Sequence, residues 1–135
     1  MTPSRDPAGH PLRILCAEDD ADLLACTAAL LRFHGHEVRC ATDGREALDM
    51  LLGNGAAFDV LITDRQMPHL DGVGLVEQAR RAGYDGKVIV FATALSDSDR
   101  RRFARLSVDA IIEKTSPVAT LLQAVLRLSP VAAAA

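Results

Sequence analysis

The chain has 135 residues, 49% of them hydrophobic and 24% charged, a balance that fits one compact domain and argues against disorder, repeats or a fibre. Its net charge of −3 gives no electrostatic reason for tight nucleic-acid binding, so no direct nucleic-acid partner is expected. No apolar run approaches the ~18 residues that cross a bilayer, and the polar start MTPSRDPAGHP lacks a secretory h-region; no membrane partner and a cytoplasmic location are expected.

Three prolines among the first eleven residues predict a flexible N-terminal segment at 1–11, and PVAAAA predicts a peripheral tail at 130–135, leaving 12–129 for the fold. Five short apolar or alternating runs read as strands, at 13–17, 37–41, 58–63, 87–93 and 108–113. Helical patterns separate them. The first places Leu23, Thr27, Leu30 and Leu31 at helical spacing and stops at Gly35. The second opens at Asp43 with Glu46 as in a capping box, and buries Ala47, Leu48, Leu51 and Leu52. The third runs from about 71 to 83 behind Val73, Leu75, Val76 and Ala79. The fourth, from about Ser96, has only Phe103 and Leu106 as an apolar stripe among Arg100, Arg101, Arg102 and Arg105, so its surface is largely polar. The fifth opens with Ser116 as cap and Pro117 at the first helical position, and offers Leu121, Leu122, Val125 and Leu126 to a core.

Strict strand-helix alternation with apolar strands predicts a parallel sheet covered on both faces, an α/β three-layer sandwich. Ligands of such sheets bind beyond the carboxyl ends of the strands. Those ends are polar here: Glu18-Asp19-Asp20 after the first strand, Asp64 after the third, Thr93 after the fourth and Glu113-Lys114 after the fifth. Carboxylates gathered at one edge repel unless a cation neutralises them or one is modified. Oxygen donors without His or Cys favour magnesium, which is typically held by one or two carboxylates together with a phosphate. Asp64 is therefore the candidate nucleophile toward phosphorus, with Thr93 as a hydroxyl donor and Lys114 as a compact cation for the phosphoryl oxygens.

Four motifs in order, EDD at Glu18, TDRQMPHLDG around Asp64, FATA through Thr93 and IIEK ending at Lys114, resemble the CheY-like receiver domains of two-component response regulators, over nearly the whole chain. The resemblance implies a flavodoxin-like, five-stranded parallel sheet of order 2-1-3-4-5. By position it makes Asp64 the phosphoacceptor and Asp19 the direct ligand of Mg2+. Glu18 then reaches the metal through water, and the main-chain carbonyl of Gln66 is a further ligand. Thr93 matches the switch hydroxyl, Lys114 the family lysine, and Met67, Pro68 and Gly72 the loop that shapes the pocket.

The implied function is uptake of a phosphoryl group from a sensor histidine kinase or histidine phosphotransfer protein, with self-catalysed transfer and autodephosphorylation only and no enzyme activity toward other substrates. The output is a changed surface on the fourth helix, fifth strand and fifth helix, including Thr93, Arg101 and Ile111, read by a downstream effector. The resemblance also implies kinase recognition on the first helix and neighbouring loops. Two departures stand out. Ile111 replaces the usual aromatic switch residue, and Lys114 is followed by Thr115 where the family has proline, so a trans bond is expected there. Gln66 and Leu95 stand where the family tunes access of water to the phosphoryl group.

Single residues have blander readings: an isolated Asp64 would pass for a cap, and an arginine cluster for a solvated helix face. His10, His34, His36 and His69 show no metal-ligand spacing, and the odd set Cys16, Cys26 and Cys40 predicts buried thiols. Two other functions compete with phosphoacceptance. One is a degenerate receiver that binds proteins without phosphorylation. The other is a small aspartate-nucleophile phosphatase, which would need a second aspartate where Gln66 stands.

Overall fold

Short apolar runs punctuated by polar caps fold into alternating strands and helices because each strand can bury both faces only if helices cover them. The computed structural model describes residues 11–53 and 58–128. The elements run β1 (Arg13–Ala17), α1 (Ala21–Phe33), β2 (Glu37–Ala41), α2 (Gly44–Leu52), β3 (Val60–Thr63), α3 (Gly72–Arg81), β4 (Lys87–Ala92), α4 (Asp97–Arg105), β5 (Ala110–Glu113) and α5 (Val118–Arg127). The sheet is parallel throughout, in the order β2-β1-β3-β4-β5, the expected flavodoxin-like sandwich. Except for Pro11, the expected N-terminal segment and the tail at 130–135 lie outside the described residues.

Two apolar layers follow from the two-residue period of the strands. Leu15, Leu61, Val88 and Val90 face α2, α3 and α4, where Leu48, Val76 and Phe103 meet them. Ile14, Val60, Ile62 and Ile89 face the other way, against Leu24 and Leu31 of α1 and Leu121 and Val125 of α5. The reversal of strand order between β1 and β3 opens the carboxyl edge beside Glu18 and Asp64.

Strand limits differ from the sequence pattern by one or two residues. β3 starts at Val60 because the Asp59 side chain takes the Arg13 N–H at 2.8 Å, although Phe58 stays buried. β4 stops at Ala92, before Ala94 turns to φ 50°. β5 starts at Ala110, after Ser107 at φ 60°, with the Asp109 carboxylate taking the Val88 N–H.

Among the helices, Asp20, Asp43, Asp71 and Ser96 cap α1 to α4 with side-chain oxygens. Gly35, at φ 96°, turns the chain out of α1 in the left-handed region open to glycine. Glu46 reaches back one residue further than a capping box requires, to the Thr42 N–H at 2.8 Å. Ser116 does not cap α5: Pro117 holds the N-cap position without a side-chain hydrogen bond. Leu52 and Leu126, expected in the core, are each 51% exposed, one residue past the buried stripes that end at Leu51 and Val125. Cys16 is buried as expected, but Cys40 is half-buried and Cys26 exposed, because Cys26 lies off the inward stripe of Leu24, Thr27 and Ala28.

Candidate functional site

β1, β3 and β5 deliver the charged groups of the carboxyl edge, and backbone pairing fixes where they emerge. The Glu18 N–H donates to the Ala41 carbonyl at 3.0 Å, the Asp64 N–H to Ala17 at 3.2 Å and the Lys114 N–H to Ala92 at 2.9 Å; Glu18 and Asp64 leave the sheet at the same level, and Lys114 emerges two residues further along the edge. The Lys114 ammonium then sits between two carboxylates, 2.7 Å from Glu18 Oε1 and 2.8 Å from Asp64 Oδ2. Asp64 Oδ1 accepts the Arg65 N–H at 2.7 Å, so both oxygens of this carboxylate are held. Glu18 Oε2 accepts the Asp20 N–H, while Asp20 itself caps α1 through the N–H groups of Asp22 and Leu23. Glu18, Asp19 and Asp64 each present an oxygen within 4.8 Å of the others, the single cluster of this kind among the described residues.

Burial pushes the Glu18 carboxyl above its ordinary range, and the contacts from Lys114 and the Asp20 N–H offset only part of that. For Lys114 burial works downward, but the hydrogen bonds it donates to Asp64 and Glu18 outweigh it and hold the ammonium above its ordinary value. The three carboxylates outnumber the one cation. An all-oxygen, electronegative pocket without His or Cys fits a hard divalent ion such as magnesium. Behind it, the Cys16 thiol is pushed up to about 12 by burial, with Cys40 and Glu18 adding to the effect, which leaves it an inert core group.

The loop after β3 is drawn tight. The Gly72 N–H donates to the Arg65 carbonyl at 2.7 Å, and a Cβ at Gly72 would lie 2.1 Å from the Asp64 carbonyl oxygen, so only glycine allows α3 to begin this close to the pocket. Met67 is buried beneath the loop, while Gln66 and Pro68 are exposed.

Of the other residues singled out from sequence, Thr93 is exposed, and its hydroxyl makes no hydrogen bond, to Asp64 or otherwise, among the described residues. Ile111 is half-buried against the core, and Arg101 is exposed on α4. No cis peptide occurs among the described residues, in line with the trans bond expected after Lys114.

Sequence reasoning assigned no role to Arg65, Asp99 and Arg80. Arg65 Nε lies 3.2 Å from Asp99 Oδ2, and Asp99 closes the capping box of α4. Burial would raise the Asp99 carboxyl, but hydrogen bonds within the box and the charges of Arg65 and Arg102 prevail and lower it. Arg80 donates to the carbonyls of Tyr84, Gly86, Leu106 and Ser107, tying the end of α3 to the turn after α4. These contacts join segments up to 34 positions apart, which no local pattern encodes.

A doubly covered sheet of this strand order, with a lysine and three carboxylates at its carboxyl edge, has the architecture and pocket of a receiver. Residues 14–126 match the response regulator receiver domain, and the chain belongs to that family. It is 34% identical over 126 residues to a gliding motility regulatory protein of Myxococcus xanthus, covering 91% of this chain and 16% of that protein. It is 37% identical over 90 residues to the response regulator MprA of Mycolicibacterium vanbaalenii, covering 67% of this chain and 38% of that protein. The chain thus spans less than two-fifths of these curated relatives.

Among solved structures, the CheY-like receiver domain protein of Methanospirillum hungatei JF-1 superposes with a TM-score of 0.80 at 27% identity, covering 86% of this chain and 91% of that one. The Francisella response regulator 1452 receiver domain gives 0.79 at 26% identity, covering 87% and 95%. Receiver domains interact with histidine kinases, and the acidic pocket here is consistent with a phosphoacceptor site. No helix among the described residues is long and apolar enough to cross a membrane.

Proposed function

We propose that Asp64 accepts a phosphoryl group from a phosphohistidine on a sensor kinase or phosphotransfer protein, and that the modified pocket switches a protein-binding surface. The observation that carries this reading is the Lys114 ammonium bonded to Asp64 Oδ2 at 2.8 Å inside a cluster of oxygen donors. In the transfer, a carboxylate oxygen of Asp64 forms a bond to phosphorus as the phosphorus–nitrogen bond of the donor breaks, and the imidazole leaves with the electron pair. The Arg65 N–H fixes the plane of the carboxylate beforehand. Lys114 already stands where charge collects on the phosphoryl oxygens, and Thr93 supplies a hydroxyl to them once the loop after β4 turns inward.

Asp19, Asp64, the Gln66 carbonyl and, through water, Glu18 are the groups that would hold Mg2+. Bound there, the ion would disperse negative charge on the phosphoryl group. The output surface assigned by this reading is α4, β5 and α5, with Arg101 and Ile111 on it, read by a downstream effector. A cytoplasmic setting, where kinases present their phosphohistidine, belongs to the same proposal.

The test is the intact mass after incubation with magnesium and a small phosphodonor. A single phosphoryl adduct is expected, absent in Asp64→Asn and without magnesium. No adduct in any sample would transfer the function to phosphorylation-independent contacts.

A further inference from the structure

Resting on that reading of Asp64, we infer that the ion pair between Arg65 and Asp99 couples the state of the pocket to α4, with Arg65 acting as a positioning residue. Three observations meet in this pair. First, Arg65 is bonded to the phosphoacceptor through its own backbone: its N–H donates to Asp64 Oδ1 at 2.7 Å, and its carbonyl is pinned by the Gly72 N–H at 2.7 Å. A change at Asp64 Oδ1 therefore reaches the Arg65 backbone directly, and the Gly72 contact limits how that strain is absorbed.

Second, one oxygen serves two masters. Asp99 Oδ2 faces Arg65 Nε at 3.2 Å and also accepts the Ser96 N–H at 3.2 Å, the backbone half of the capping box that starts α4. Any shift of the guanidinium competes with or reinforces the helix cap.

Third, the contact is unfinished. Arg65 Nε is buried, yet at 3.2 Å from Asp99 Oδ2 it lacks hydrogen-bond geometry and has no other partner among the described residues. A buried donor left this way favours rearrangement toward a bond. Ile111 has no polar side-chain atom with which to report on the pocket, and the exposed Thr93 makes no hydrogen bond to α4 before its loop turns inward. Arg65–Asp99 is the polar contact that joins the segment 64–71 to α4 among the described residues.

Amide exchange at 100–103 in a double-mutant cycle tests this without requiring phosphorylation. Asp64→Ala removes the acceptor of the Arg65 N–H, and Arg65→Gln removes the guanidinium while keeping that N–H and the Ser96–Asp99 cap. We expect Asp64→Ala to change protection at 100–103 by roughly five- to tenfold in the native background and by less than about twofold in Arg65→Gln. Ser96→Ala, which weakens the cap but leaves the ion pair, is the control: its effect should multiply with that of Asp64→Ala. Equal effects of Asp64→Ala in both backgrounds would overturn the coupling. The intact masses separately report on the phosphoacceptor reading: a phosphorylated Arg65→Gln protein whose α4 responds like the native chain would refute the coupling alone, whereas no adduct in the native chain would refute the reading beneath it.

Discussion

Lys114→Met keeps the length of the side chain and removes the ammonium that Glu18 and Asp64 share at 2.7 and 2.8 Å. At an effective dielectric of ~20, each contact carries ~6 kcal/mol of Coulomb attraction, opposed by the desolvation of all three groups. Stability registers the loss of the partner. Side chains only 5% and 12% exposed are left as facing carboxylates, and breaking such a buried pair costs ~3–5 kcal/mol.

Protonation of Glu18 bounds the loss. Its carboxyl is already held above 4.5 by burial, and losing Lys114 pushes it further in the same direction. The folded variant then keeps a proton that the unfolded chain has given up, so the deficit is largest at neutral pH and shrinks as pH falls toward 4.5. For the native chain, the Lys114 ammonium lies above 10.5, so its contribution is complete below that value and is lost as pH rises through its folded-state value. Urea unfolding followed by circular dichroism, with a chelator to remove metal, reads the difference. The midpoint is expected to fall by ~2 M at about pH 7.5 and by clearly less at about pH 5. A fall below ~0.3 M, or the same fall at both pH values, would refute the reasoning.

Phe103→Ala removes the one buried side chain of α4 and is expected to cost ~3–5 kcal/mol by urea unfolding; a loss under ~1 kcal/mol would mean that α4 is anchored elsewhere. Arg80→Ala strands four carbonyls and should cost ~1–3 kcal/mol, with at most partial recovery in Arg80→Lys because the three donors of one ammonium cannot serve all four; full recovery would contradict the bridging role. Alkylation of the native protein, mapped by peptide mass, should label exposed Cys26 first and spare Cys16, whose thiol lies at about 12. Early labelling of Cys16 would show that the layer under α1 is open.

The architecture was legible in the sequence because strand and helix periods are local and the polar strand ends mark the carboxyl edge. Glu18, Asp64 and Lys114, each within two residues of the end of an apolar run, come together without needing any contact to be guessed. What escaped is tertiary. Leu52 and Leu126 sit beside the buried stripes, and which of two adjacent leucines faces the core depends on helix rotation against the sheet. Strand limits moved where Asp59 and Asp109 bind neighbouring backbone N–H groups and where Ala94 and Ser107 take positive φ, choices made by packing rather than propensity. Arg65, Asp99 and Arg80 carry no signal in the sequence, since an arginine bonded to distant carbonyls or to a helix cap has no spacing signature. Thr93 is legible as a strand-end hydroxyl, but its exposure, next to the turn at Ala94, is not.

The most direct test of Asp64 as phosphoacceptor is the chemical location of the phosphoryl group. Borohydride reduces an acyl phosphate of aspartate to homoserine, which peptide sequencing then places. After phosphorylation in magnesium, homoserine is expected at position 64, with Glu18 and Asp19 unchanged. A phosphoryl group found on another residue, or a labelled chain with Asp64 intact, would contradict the assignment.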